Sequence, residues 1–230
     1  MNRRTLVALV LSLAIVGVAN ADYTFKPNIK VKDDFHYKLK GTLQIAGQEA
    51  TLDGTLDRKI VEVKENGDYT VEETQSNTKV QFGGQEMNLP DNTSTTSYTA
   101  AGDIVEIKSD KVDPLEYRFA NMSLFHLPDA AVAEGGTWTY EAKSNDKTGA
   151  VGFKATYKVV GEEKIGNRTT VKISMSIKES EGSEPASSEC LLWLDTTDMM
   201  PVKTENNLTN APIPGAPGPV SGKIGTTREG

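Results

Sequence analysis

Alternation with a period of two residues runs through most of this chain, and it confines the fold to antiparallel sheet with one wet face. Phe35, Tyr37 and Leu39 interleave with His36, Lys38 and Lys40, and the run continues through Leu43 and Ile45 to a turn at Gly47. Lys59 to Lys64 and Tyr69 to Gln75 flank Glu65-Asn66-Gly67-Asp68. Asn-Gly between alternating runs is the strongest short-range hairpin signal. Val80 and Phe82 face Met87 and Leu89 across Gly83-Gly84, and Ser97-Tyr98 faces Ile104 to Lys108 across Ala101-Gly102-Asp103. After a less regular middle, strands resume at Trp138 and Tyr140, at Phe153 to Val160, and at Thr169 to Ile177 beyond a turn at Gly166-Asn167. A last hairpin pairs Cys190 to Leu194 with Met199 to Lys203.

One helical turn is predicted, over Asp129 to Glu134, with Asp129 as its cap and Gly135 as its stop. Glu179 to Ser188 reads as a polar loop. The proline-rich run from Ala211 to Pro219 is unfit for a central strand, and residues 220 to 228 read as a closing edge strand. The expected fold class is all-β: an antiparallel open barrel or a two-sheet sandwich. Tyr98 to Lys108 also lays over Trp193 to Lys203, with Asp103 on Asp198, and Thr70-Val71 lays over Thr170-Val171. That pattern suits two similar halves, 22–127 and 128–230, although generic hairpin composition produces the same overlap.

The first residues carry the three parts of an export signal: Arg3 and Arg4, an apolar run from Leu6 to Val18, and small residues at Ala19 and Ala21. Ser12 and Gly17 interrupt the run, which falls short of the roughly 20 apolar residues of a spanning helix. Cleavage is expected after Ala21, giving a periplasmic or secreted protein with no integral membrane segment. No cysteine near Asp22 offers a lipid anchor. Without residues 1–21 the chain carries 23 basic against 32 acidic side chains, a net charge of −9. That sign disfavours nucleic acid and anionic membrane as partners, since both are bound by lysine and arginine replacing counterions. Cys190 is the single cysteine, so no intramolecular disulfide forms; beside Leu191, Leu192 and Trp193 it reads as a buried thiol. Asn92, Asn121, Asn167 and Asn207 each open an Asn-x-Ser/Thr triplet, which carries no meaning in the bacterial exporter that the N-terminus suggests.

Val159 to Ile173, through Glu162-Glu163-Lys164-Ile165-Gly166-Asn167, followed by Trp193-Leu194-Asp195 and Met200-Pro201-Val202-Lys203, resembles uncharacterised exported bacterial β-rich proteins. The lead-in from Leu127-Pro128 through Gly135-Gly136-Thr137-Trp138 is similar to a segment of the same kind of protein. The tryptophan hairpin is also similar to the periplasmic lipoprotein-carrier superfamily. That resemblance implies an unclosed antiparallel barrel holding acyl chains, with helices across its mouth as a lid. It covers about the last 100 residues, and the lid helices have no counterpart in this sequence.

Residues able to carry chemistry are scarce. The histidines are His36, on a strand face with Lys38 and Lys40 and hence in solvent, and His126, which reads as a hydrogen-bonded packing residue among Phe125, Leu127 and Pro128. There is no His-Glu-x-x-His, Cys-x-x-Cys or Gly-x-Ser-x-Gly. Ser221-Gly222-Lys223 imitates the end of a phosphate loop, but Pro217 stands where the loop glycine belongs and Ile224 where the hydroxyl residue belongs. The pairs Asp33-Asp34, Glu72-Glu73 and Glu162-Glu163 cannot converge on one substrate from a strand, because adjacent side chains point to opposite faces. Asp195 and Asp198 bracket a turn, where Asp bonds its own backbone; weak calcium binding is the other reading there. Trp138, Trp193, Tyr98 and Tyr140 are core anchors unless exposed together as a sugar platform.

The sequence therefore reads as an exported, non-catalytic interaction or envelope protein, with no cofactor and no catalytic or metal residue assigned. The alternative is a carrier of an apolar, lipid-like ligand in a concave sheet, with Tyr98, Tyr157, Ile173 and Trp193 as the ligand-binding candidates. The expected partner is a protein or an apolar small molecule.

Overall fold

The computed structural model describes residues 22–110 and 113–230. The export signal read in residues 1–21 lies outside the described residues. The first half of the chain contributes β1 (Asp22–Tyr23), β2 (Asp34–Ile45), β3 (Gln48–Val63), β4 (Tyr69–Phe82), β5 (Gln85–Asn88), β6 (Asn92–Tyr98), β7 (Ile104–Ser109) and the helix α1 (Pro114–Asn121). The second half contributes β8 (Val132–Ala133), β9 (Thr137–Ala142), β10 (Phe153–Ile165), β11 (Arg168–Glu179), β12 (Ser187–Asp195), β13 (Pro201–Ala211) and β14 (Val220–Arg228).

Twelve strands form one antiparallel sheet in the order β7-β6-β4-β3-β2-β14-β13-β12-β11-β10-β9, with β5 paired to β4; β1 and β8 form a small second sheet. Every neighbouring pair except β2–β14 is consecutive among the long strands, so each half is a meander and β14 joins the two. The end strands β7 and β9 do not pair, so the sheet is not closed into a barrel. Residues 220–228 are thus a central strand, hydrogen-bonded to β13 and β2 on its two sides, and not the edge strand expected from the preceding prolines. The prolines lie in the loop before β14 and remove no donor from its ladders.

The alternation expected from the sequence sets two unlike faces. Phe35, Tyr37, Leu39 and Leu43 of β2 are buried on the inner face, as are Phe153, Ala155, Tyr157 and Val159 of β10 and Val171, Ile173, Met175 and Ile177 of β11. The outer face is lysine, glutamate, threonine and serine. The inner face is covered by the chain itself. α1 begins at Asp113, whose side chain accepts from the Leu115 N–H, with Pro114 at the start of the first turn. Residues 129–134, where a helical turn was expected, instead form a bend and β8. Asp129-Ala130-Ala131 lacks the cap bonds and the covered face that α1 gains from Asp113 and from the sheet.

α1 and residues 122–128 run along the inner face. Met122 and Leu124 are buried in the main core, and Phe119, Phe125 and Leu127 pack against it. Burial of such side chains stabilises the fold by about 2 kcal/mol each. Polar contacts also hold the segment: among them, Arg118 makes a bidentate pair with Glu179 at 2.7 and 2.8 Å, Asn206 reaches the Met122 carbonyl, and the Tyr157 hydroxyl donates to the Leu124 carbonyl at 3.0 Å. Phe25 adds an edge contact to Phe125 and a tilted one to Trp138. A second, smaller cluster of Phe35, Tyr37, Leu56, Ile60, Val71 and Met200 fills the other half of the face.

The turn between β12 and β13 is fixed by its two acids. Asp195 accepts from the Thr197 N–H and from Arg168, and Asp198 accepts from the Met200 N–H and from Arg228. Both carboxylates are committed to turn and guanidinium bonds, which accounts for the pair without calcium. Cys190 is buried, and burial pushes its thiol up to about 12.

Two outcomes are expected. Arg118→Ala leaves the Glu179 carboxylate, 1% exposed, without its counter-charge. It should cost about 3 kcal/mol in urea unfolding, and Arg118→Ala with Glu179→Gln should cost less than the single change. Burial raises the Asp195 carboxyl, but the Thr197 N–H and Arg168 outweigh it and hold the group below its usual range. Its contribution is therefore present above the unfolded pKa and lost as pH falls through the folded one. Thermal melts between neutral and strongly acidic pH should show Asp195→Asn with a shallower acid decline than the parent.

Candidate functional site

The four residues singled out as ligand contacts fall in three places. Tyr157 and Ile173 lie fully buried in the main core, where Leu124 and Phe125 sit against Tyr157. Tyr98 stacks on Tyr69 at 5.1 Å against the smaller cluster. Trp193 lies on the opposite face from Ile173, which is a correction to its expected inward direction. It pairs across the ladder with Lys172 and Lys203, whereas Ile173 pairs with Leu192. Alternation along β12 is unbroken: Leu192 and Leu194 pair with Ile173 and Val171 on the inner face and are buried, and Trp193 between them pairs with Lys172 on the outer one. The bulge lies on the facing strand β13, at Val202. Trp193 is covered on the wet face by lysines, with the Lys172 and Lys203 ammonium groups 4.7 and 4.8 Å from its ring, and its Nε1 donates to Glu163 at 2.8 Å. Trp138, Tyr140, Tyr98 and Trp193 therefore form no common platform.

Two other constellations stand out. The first bridges the gap between the end strands. His126 Nδ1 lies 2.7 Å from Asp103, in the turn leading into β7, and its ring stacks on Tyr140 of β9 at 3.9 Å. The Leu127 N–H donates to Ala101, and Trp138 Nε1 donates to the His126 carbonyl. Burial and the nearby Asp103 carboxylate push the Tyr140 hydroxyl up to about 12, so it stays protonated. Gly102, at φ +89°, permits this approach, because a Cβ there would meet the Phe125 carbonyl oxygen at 2.5 Å. The histidine is a packing residue with a hydrogen bond, as its neighbours in sequence suggest.

The second is an open hollow of about 800 Å³ on the outer face, spanning β2, β14, β13, β12 and β11. Strand register explains it. On β14 the outward residues are Lys223, Gly225 and Thr227. Lys40 and Glu205 pair directly with Gly225 from the two sides. Lys38 and Lys203 pair with Thr227 in the row above, and Thr42 and Asn207 pair with Lys223 in the row below. A glycine thus occupies the centre of a three-by-three grid of outward positions. The hollow is the missing side chain, walled by long ones and floored beyond by Leu191 and Ser174. Gly225 is required by packing as well, since a Cβ would meet the Thr204 carbonyl oxygen at 2.6 Å.

Among the described residues no group of three His, Cys, Asp or Glu side chains is placed to hold a metal ion, and no helix is long and apolar enough to cross a membrane.

No family model and no curated protein matches the sequence. Among solved structures, a DUF1329 family protein from Desulfovibrio piger aligns over 85% of this chain and 84% of its own, at 10% identity and a TM-score of 0.26. A structure described as AttH from Nitrosomonas europaea aligns over 79% of this chain and 66% of its own, at 9% identity and a TM-score of 0.16.

Proposed function

We propose that this is an exported, non-catalytic binding protein that meets its partner on the outer face of the sheet. The observation that carries the reading is the occupied inner face: Met122 at 1% and Leu124 at 5% exposure fill space that a carrier would keep for an acyl chain. Support for a non-catalytic role comes from the buried charges. Arg118–Glu179, Arg168–Asp195 and Arg228–Asp198 are each tied into structural pairs, whereas a catalytic acid or base needs a group poised in a cleft. Two histidine–carboxylate pairs come closest to an acid–base couple: His36–Asp57 stands in solvent on the open face of β2 and β3, outside any cleft, and in Asp103–His126 the imidazole lies flat on Tyr140 and spans the gap between the sheet ends. The reading of residues 1–21 supplies the exported half of the proposal.

The alternative keeps the apolar ligand on the inner face and requires α1 and residues 122–128 to leave it. One observation favours that reading: β7 and β9 are unpaired, so opening there breaks no ladder hydrogen bonds.

Native mass spectrometry of the protein purified from its own cell envelope separates the two. The expected species begins at Asp22 and carries no lipid. A co-purified lipid would restore the carrier reading, and a mass retaining residues 1–21 would remove the exported one.

A further inference from the structure

We propose that the hollow over Gly225 is a binding site for a small multivalent organic anion bearing phosphate or carboxylate groups, an assignment that rests on the outer-face reading above. Its first support is charge placement. The chain is acidic overall, with a net charge of −7, yet four lysines, Lys38, Lys40, Lys203 and Lys223, converge on one hollow whose lining acids are Glu189 and Glu205 alone. They come from three adjacent strands spaced about 4.8 Å apart, so Lys38 and Lys203 stand about 10 Å apart across the rim, the span of an anion with more than one charged group. The volume, about 800 Å³, is in the range of small-molecule sites.

The second support is the state of those lysines. Lys223 has no ion-pair partner among the described residues. Lys38 pairs with Glu229, Lys40 with Asp53 and Lys203 with Glu205. Each pair is exposed enough to be weak, so an incoming anion exchanges these contacts at small cost. The third support is the floor. Glycine at the centre lets a ligand approach the backbone of three strands, and Leu191 gives a carbon surface beside it. Lys203 lies against the ring of Trp193, so occupancy of the hollow reaches that indole.

Isothermal titration with sodium tripolyphosphate and, in parallel, with citrate at low ionic strength tests the site on the full protein. One or both should bind with one-to-one stoichiometry, tripolyphosphate alone indicating a phosphate ligand and citrate alone a carboxylate. Lys40→Glu with Lys223→Glu should weaken binding by about tenfold or more. Lys154→Glu with Lys178→Glu, on the same face of β10 and β11 but outside the hollow, should change it by less than about twofold. Circular dichroism of each double variant, matched to the parent, keeps the comparison free of misfolding. Absence of saturable binding, or equal losses in the two double variants, overturns the assignment. So does co-sedimentation with phosphatidylglycerol vesicles without binding of either free anion, which would give the lysines to a membrane surface. None of these results alters the lipid-free mass expected above, so failure of the anion site and failure of the outer-face reading are separable.

Discussion

The rest of the structure depends on two strands that never meet. β7 and β9 end the sheet without pairing, so its inner face is not sealed as in a barrel, and the second sheet, two strands of two residues each, is too small to cover it as in a sandwich. A sheet of twelve strands curls around more space than its own side chains fill. The chain answers by laying α1 and residues 122–128 on that face, between the last strand of one half and the first of the next. The inserted backbone lies where water is scarce, so its polar groups need partners from side chains. Tyr157, Trp138 and Asn206 supply them, and Tyr117 likewise caps the outward N–H of Ile107 on the end strand β7.

The two faces of the sheet use charge differently. On the inner face each arginine is matched to a carboxylate and often to a ring as well: Arg58 with Glu73 over Tyr37, Arg228 with Asp198 over Phe35. Planar guanidinium suits such dry, stacked positions. The outer face uses lysine, whose ammonium stays in water while its stem covers apolar surface. Trp193 is the clearest case, an indole on the wet side buried to 3% exposure by two lysine stems and a glutamate.

The strands were legible because β-branched and aromatic residues alternate with lysine and glutamate, and the turns because glycine marks them at Gly67, Gly84, Gly102 and Gly166. The helix was not, since Leu115, Tyr117 and Phe119 stand two apart and imitate a strand, although Asp113-Pro114 does carry a cap and a first-turn proline. Trp193 was assigned to the wrong face because Leu191-Leu192-Trp193-Leu194 is apolar throughout and hides the alternation, which holds along β12 and turns the indole outward between Leu192 and Leu194. The lysine-walled hollow left no local trace. Its lysines lie at 38, 40, 203 and 223, and what unites them is the β2–β14 pairing together with one glycine. Lys223 drew notice only as part of a failed phosphate-loop pattern.

That pairing also orders events in time. Among the described residues the β14–β2 pairing is the one ladder of the large sheet that joins the two meanders, and it links residues 220–228 to β2, nearly two hundred positions earlier in the chain. Until β14 docks, the large sheet is in two pieces with bare edges at β2 and β13. Contacts between such distant residues are the slow ones to form, because the intervening loop must close first. The continuous sheet, and with it any surface that crosses from β2 to β13, therefore comes into being only when β14 docks on β2.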